Sequence, residues 1–195
     1  MFKSRVIVAT AVLSVSALLL TACASNAQTP SASAEQTELA ELQSQLSEYA
    51  DAEALVEEHL ATFDELDYEV FSNQDWERLH ESHAENVKVV WPDGHVAEGI
   101  DTHIDDLAAL FVHAPDTRIK QHPVGFGVGD MTVVEGVFEG TFTEPMPDGN
   151  GGFIQPTGKA FKMPMATIGF WEDGVMIEEH LFWDNATYAA QIGLG

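Results

Sequence analysis

The last third of the chain contains the feature that most restricts its fold, a pair of long strand-like segments joined by a tight turn. Residues 160–171 are rich in apolar side chains, and residues 175–184 alternate between two kinds of side chain. Asp173-Gly174, between the two segments, is typical of a two-residue hairpin turn. The sequence therefore predicts a long β-hairpin, and with it an antiparallel sheet.

Side chains two residues apart point to the same face of a strand, so the second arm of the hairpin has two distinct faces. One face carries Glu178, His180, Phe182 and Asp184, an acidic set with one aromatic residue. The other face carries the mainly apolar set Ile177, Glu179, Leu181 and Trp183. We expect the apolar set to pack and the acidic set to face a cavity or water. Asp184 then has two interpretations, a cavity carboxylate or, with Asn185, the cap of a helix that starts at Ala186.

The N-terminus has the composition of a targeting segment. Lys3 and Arg5 precede an apolar run over residues 6–20, so residues 1–22 are predicted to be a signal peptide. Leu20-Thr21-Ala22-Cys23 resembles the lipobox of bacterial lipoproteins, which implies lipidation of Cys23. A plain secretory signal with cleavage near Ala24 is the alternative. The resemblance implies a lipid-anchored location in the cell envelope, at the periplasmic side of the outer membrane, with the lipid as its only membrane contact.

The charge of the chain is strongly negative. It has 32 Asp and Glu residues against 8 Lys and Arg, a formal net charge of −24. A field of this sign repels phosphate backbones, so we expect no nucleic-acid partner. A salty habitat is the simplest explanation, because a dense acidic surface keeps a protein soluble at high ionic strength.

The order of the remaining elements predicts an α+β domain. Residues 23–36 are small and polar and are expected to form a flexible tether. Apolar residues at a three-four spacing from Leu39 to Phe63 predict a helix. Its first part, residues 37–50, is a helical extension that either packs on its own domain or forms a coiled coil with a neighbour. Residues 51–195 form the domain.

Two more helices and a meander of strands follow within this domain. A helix is expected to restart after Ser72, and another is expected around Ile104 and Phe111. Residues 86–91 and 95–97 predict a short strand pair. Residues 117–126, 131–143, 160–171 and 175–184 predict four long antiparallel strands. Helices that precede such a meander are expected on one face of the sheet.

Several local patterns recur in one known family. They are Trp91-Pro92-Asp93-Gly94, Glu98-Gly99, Pro115-Asp116, Gly129-Asp130, Gly140-Thr141, Pro156-Thr157-Gly158-Lys159, Asp173-Gly174, Trp183-Asp184 and Gln191-Ile192-Gly193. In this order they resemble the SnoaL-like polyketide cyclases of the nuclear-transport-factor-2-like superfamily, over residues 52–193. The resemblance implies a cone-shaped, curved antiparallel sheet with N-terminal helices on its concave face, enclosing a pocket for a small apolar molecule. It implies a homodimer only weakly.

The resemblance also implies a set of site residues. Asp184 stands where the cyclases have a general acid and base, and His180 is the expected helper in proton transfer without a cofactor. Phe182, Trp91, His122 and Phe142 are the expected pocket residues, although His122 is also interpreted as a packing histidine.

Two departures from the family leave the activity open. Phe142 stands where relatives often have histidine, and residues 160–171 contain no arginine. An enzyme of cyclase, isomerase or lyase type and a non-catalytic binding or interaction module are therefore both retained.

The sequence gives no metal-binding signature. His80 and His83 lie three residues apart, while His59 and His95 are scattered, and no His-Glu-x-x-His pattern is present. We therefore expect neither a metal nor a cofactor.

Overall fold

The computed structural model describes residues 32–195. The predicted signal peptide, Cys23 and the first part of the predicted tether lie outside these residues. Within residues 32–195, no helix is both long enough and apolar enough to cross a membrane.

Three α-helices and two short helical turns occur in the described chain. The α-helices are α1 (Ala32–Glu65), α2 (Ile100–His113) and α3 (Asn185–Ile192). A π-helical turn, Leu66–Phe71, continues directly from α1, and a 3-10 helix follows at Trp76–Glu81. Residues 32–36 are helical, so the prediction of a flexible tether up to residue 36 is wrong for these residues. Their sequence has neither proline nor glycine to prevent the helix from extending toward the N-terminus.

Nine strands form two sheets in the described part of the chain. They are β1 (His83–Val90), β2 (Val96–Glu98), β3 (Arg118–Ile119), β4 (Val124–Val128), β5 (Met131–Thr141), β6 (Met146–Pro147), β7 (Phe153–Ile154), β8 (Ala160–Glu172) and β9 (Val175–Phe182). The large sheet has the order β2-β1-β9-β8-β5-β3, and β4 also pairs with β5. Only the β1–β9 pairing is parallel, so the predicted α+β fold with a mainly antiparallel sheet is confirmed.

The turn between β8 and β9 has the backbone that the sequence predicts. Asp173 and Gly174 have φ angles of 51° and 84°, and Glu172 pairs with Val175 across the turn. Two consecutive residues with positive φ match the twist of a two-residue hairpin. A register shift after Phe170 inserts an extra residue into β9, and Ile177 consequently points outward instead of packing with Glu179 and Leu181.

The strand predicted over residues 117–126 is broken in the middle. It forms β3 and β4, which are separated by residues 120–123. Pro123 lacks the N–H that a continuous ladder needs. The break allows the side chain of His122 to contact Asp64 and Asp67 beside α1.

Glycine in β4 allows α1 to lie close to the sheet. A Cβ atom on Gly127 would lie 2.9 Å from Cγ1 of Val56, and one on Gly125 would lie 3.4 Å from Cδ2 of Leu60. The alternating glycines therefore place the second half of α1 directly against this strand. From His59 onward the helix buries side chains, whereas Leu46 and Tyr49 are exposed.

The buried core and the exposed part of α1 predict opposite effects of leucine truncation. Leu79 is fully buried, so Leu79→Ala should lower the free energy of unfolding by about 2–5 kcal/mol. Leu46 is 69% exposed, so Leu46→Ala should change it by less than about 0.5 kcal/mol. Urea unfolding of both variants measures the difference. A large loss in Leu46→Ala would show instead that this part of α1 is covered in solution.

Candidate active site

A cavity lies between the sheet, the π-helical turn and α2. Its apolar lining consists of Leu66, Phe71, Trp91, Leu107, Leu110, Ile119, Phe138, Met165, Leu181 and Trp183. Its polar lining consists of Asp67, His83, His103, Thr167 and Glu179. The empty space between these atoms is about 500 Å³, including the part that opens to solvent. The cavity is narrow, because the part that water-sized groups can occupy is only about 40 Å³.

Asp184 does not line this cavity. Its carboxylate accepts hydrogen bonds from the Ala186 backbone N–H at 2.9 Å and from the Thr187 hydroxyl at 2.6 Å. The hydrogen bond from Thr187 is the main cause that lowers the pKa of Asp184, and the side chain is open to solvent. Asp184 is therefore the N-cap of α3, and its predicted position in the pocket is wrong.

His180 and Phe182 lie on the outer face of the sheet. The His180 ring is 2.7 Å from Glu178, which also binds Lys88, and Phe182 is 49% exposed. Their predicted positions in the pocket are therefore wrong as well. Alternation correctly indicates which residues share a face, but it does not tell which face the helices cover.

The other three expected pocket residues lie in three different places: the cavity wall, the core and the space behind Asp67. Trp91 lines the cavity. Phe142 is fully buried in the core and packs edge-on against His113, so its placement in the pocket is wrong. His122 is buried behind Asp67 and reaches the cavity only through that carboxylate.

The cavity-facing side of β9 carries a buried carboxylate between two imidazoles. Oε2 of Glu179 lies 3.6 Å from Nε2 of His83 and 3.5 Å from Nε2 of His103, and all three side chains are at least 95% buried. Burial alone would raise the pKa of Glu179, but the two histidines outweigh it and hold the pKa below its ordinary value. Burial lowers the pKa of His103 to about 4, so this ring is neutral at neutral pH.

Ser82 contacts the far side of the His83 ring. Its hydroxyl oxygen lies 3.1 Å from the Leu79 carbonyl oxygen and 2.9 Å from Nδ1 of His83. The tautomer of His83 decides which of the two groups donates in the second contact. Nε2 of His83 lies 3.6 Å from Glu179 and is buried without a hydrogen-bond partner among the described residues.

A second polar chain connects the cavity with the protein surface. Asp67, on the π-helical turn, lines the cavity and lies 2.7 Å from Nε2 of His122. Nδ1 of the same ring lies 2.7 Å from the largely exposed Asp64. The His122 side chain is itself 95% buried. The three groups therefore form a continuous hydrogen-bonded path from solvent to the cavity wall.

This path must hold two protons, because each nitrogen-to-oxygen distance is that of a hydrogen bond. Burial would lower the pKa of His122, but the hydrogen bonds and charges of Asp67 and Asp64 outweigh it and raise the pKa. Burial also raises the pKa of Asp67, against the effect of the His122 hydrogen bond, and the nearby Glu179 raises it further. Both shifts favour retention of a proton next to the cavity.

One group of side chains in residues 32–195 has the composition of a metal site. His83, His103 and Glu179 each offer a ligand atom, and these atoms lie within 4.8 Å of one another. The three residues come from β1, α2 and β9, so no local spacing in the sequence indicates the group.

The fold agrees with the sequence comparison. The sequence profile of the SnoaL-like polyketide cyclases matches residues 61–192, which is more than half of the chain. The chain belongs to the SnoaL-like polyketide cyclase family. The SnoaL-like domain starts within α1 and ends at the last residue of α3.

Solved structures show the same fold as this SnoaL-like domain. A protein of Jannaschia sp. CCS1, named as a SnoaL-like polyketide cyclase, is 22% identical with a TM-score of 0.63, covering 72% of this chain and 95% of its own. The proposed polyketide cyclase IdmH of Streptomyces antibioticus is 24% identical with a TM-score of 0.60, covering 69% and 98%. A protein of Xanthomonas campestris pv. campestris, named as a polyketide cyclase, is 17% identical with a TM-score of 0.61, covering 71% and 99%. No protein of curated function matches the chain.

The sequence did contain signals for the polar residues that the site uses. Glu179 lies among apolar residues on one face of its strand, and His103 interrupts the apolar stripe of α2. Asp67 follows Phe63 by four residues, on the buried side of the π-helical turn that continues α1. A polar residue at a core position is rare unless it has a partner, and this rule would have identified all three.

The path through His122 predicts a pH-dependent contribution to stability. A raised pKa means that His122 stabilises the fold fully below the unfolded value of about 6.5, and that this contribution is lost as the pH rises through the folded pKa. Urea unfolding should therefore show a larger difference between the wild type and His122→Gln at pH 6 than at pH 9. A difference that stays constant or grows with pH would contradict the charged state of His122.

Proposed function

We propose that the SnoaL-like domain binds a small, largely apolar carbonyl compound and transfers a proton at the carbon next to its carbonyl group. The observation that supports this proposal most strongly is the position of Asp67. Its carboxylate lines an apolar cavity and is hydrogen-bonded through His122 to a group that solvent reaches. The reaction class is that of a cyclase, isomerase or lyase.

Asp67 has the properties that an acid and base at carbon requires. A pKa raised by burial brings a carboxylate closer to the working pH, where it accepts and returns a proton efficiently. His122 holds the carboxylate in one orientation at 2.7 Å and supplies or removes the second proton. Asp64, at the exposed end of the path, exchanges that proton with water.

We assign the indole N–H of Trp91 as the donor for the oxygen of the substrate. Its indole N–H is buried without a hydrogen-bond partner among residues 32–195, and the ring lines the cavity. When a proton leaves carbon, negative charge develops on the carbonyl oxygen, and a donor in a dry site stabilises this charge. The aromatic rings of Phe138 and Trp183 beside it favour a flat, apolar substrate.

Hydrogen–deuterium exchange tests this proposal directly. A panel of apolar ketones, with 2-tetralone first, is incubated with the protein in D2O, and loss of the α-proton signal is followed by NMR. Asp67→Asn should lower the exchange rate by about a hundredfold or more, because it removes the acid and base. His122→Asn should lower it as well, because the path to solvent is broken.

Asp184→Asn is the matched control, because asparagine also caps helices and Asp184 is outside the cavity. Its exchange rate should equal that of the wild type. Exchange that survives Asp67→Asn would contradict the assignment of the base. Binding of the ketones without exchange by the wild type would favour a non-catalytic binding module instead.

We also propose that the protein is held at the cell envelope through a lipid on Cys23. The basis is the sequence Leu20-Thr21-Ala22-Cys23 after the apolar run of the signal peptide. The lipid would be the only contact with the membrane, and the strongly acidic chain would not bind anionic lipid surfaces by charge. A homodimer of the domain stays a prediction.

Cell fractionation tests the anchor. The wild type should sediment with membranes and incorporate an alkyne-labelled fatty acid, whereas Cys23→Ser should lose the label. Fatty-acid label that persists in Cys23→Ser would contradict attachment through a lipid on this cysteine.

A further inference from the structure

We infer that His83, His103 and Glu179 form a binding site for a divalent transition metal ion, with zinc as the first candidate. The inference goes beyond the proton transfer assigned to Asp67 and does not depend on it. It reverses the expectation of no metal, which relied on the spacing of histidines along the sequence.

The distances from Glu179 to the two imidazoles fit a coordination sphere better than hydrogen bonds. Zinc binds histidine and carboxylate at about 2.0–2.2 Å, so neighbouring ligand atoms of a tetrahedral site lie about 3.4 Å apart. The two imidazole nitrogens lie 3.6 Å and 3.5 Å from the same oxygen of Glu179. Nitrogen-to-oxygen hydrogen bonds are about 2.7–3.2 Å long. In this chain, the His122 ring lies 2.7 Å from each of its two carboxylates, which is a hydrogen-bond distance. The contacts around Glu179 are longer than these hydrogen bonds.

A buried nitrogen without a partner leaves a position for a cation. Nε2 of His83 has no hydrogen-bond partner among the described residues and faces a carboxylate oxygen of Glu179 at 3.6 Å. Such an arrangement is repulsive unless a proton or a metal ion lies between the two atoms. A hydrogen bond from the far nitrogen to a fixed oxygen is also the usual support of a metal-binding histidine. Ser82 is therefore a positioning residue for this site.

Burial and composition favour a transition metal over magnesium or calcium. Two imidazoles and one carboxylate suit zinc and its neighbours, whereas magnesium and calcium prefer oxygen ligands. The three side chains are at least 95% buried and all face the cavity. Three protein ligands leave one position of a tetrahedral site open. That position would take water or a carbonyl or enolate oxygen of a bound molecule.

Titration of the purified full chain with cobalt(II) and zinc(II) tests the inference, with each metal alone as the probe. One equivalent of cobalt should give intense visible absorption bands of a four-coordinate ion, and zinc should displace it. Calorimetry should show one zinc per chain. A wild type without these bands and without zinc binding overturns the inference, and a proton shared with His83 then accounts for the geometry. Weak bands of six-coordinate cobalt would equally contradict a tetrahedral site.

Substitutions at the site locate the ion. His103→Gln and Glu179→Gln should weaken zinc binding by about a hundredfold or more, and Ser82→Ala should weaken it by about tenfold. His95→Gln is the control, because His95 is half exposed and pairs with Asp106 outside the cavity. Circular dichroism confirms that each variant is folded. Zinc binding that persists in both ligand variants, or that is lost in His95→Gln, would place the ion elsewhere and overturn the assignment. Asp67→Asn should keep the cobalt bands, which separates this inference from the proton-transfer proposal.

Discussion

The structure depends on the burial of one carboxylate, that of Glu179, and on the side chains that pair with it. Glu179 points from the central strand β9 into the space that the helices cover, where an unpaired charge is strongly unfavourable. His83 at the start of β1 and His103 on α2 converge on its Oε2 atom, so the sheet and the helix layer are linked at the same point. The apolar cavity is the space that remains around this polar cluster. The cluster around Glu179 therefore affects the packing of the sheet against the helices, the charge inside the cavity and the groups available there for chemistry.

The transition from α1 to the π-helical turn gives the cavity a second polar wall. The turn buries Leu66, Asp67, Val70 and Phe71 together, and it places a carboxylate opposite the break between β3 and β4. π-helical turns are frequent at functional sites. His122 occupies the break and links the buried carboxylate to solvent-exposed Asp64. A proton can thus reach the cavity without the cavity being open to bulk water at that side.

Much of the fold could be predicted from the sequence, because local rules determine it. The Asp173-Gly174 turn, the long hairpin strands and the apolar stripe of α2 follow from backbone preferences and periodicity. The site could not be predicted in the same way. Whether Glu179 or Asp184 faces the cavity depends on which side of the sheet the helices cover, and this is a long-range property. The resemblance to the family correctly indicated the fold, but it directed attention to a carboxylate that caps α3.

The central claim is that the Glu179 side of β9, and not the Asp184 side, forms the wall of the ligand cavity. Long-range proton–nitrogen NMR spectra of the ¹⁵N-labelled protein, recorded during titration with 2-naphthol as an apolar probe, test it most directly. The account predicts that the ring signals of His83 and His103 shift, while those of His180 and His95 stay unchanged. Shifts at His180 without shifts at His83 and His103 would contradict it.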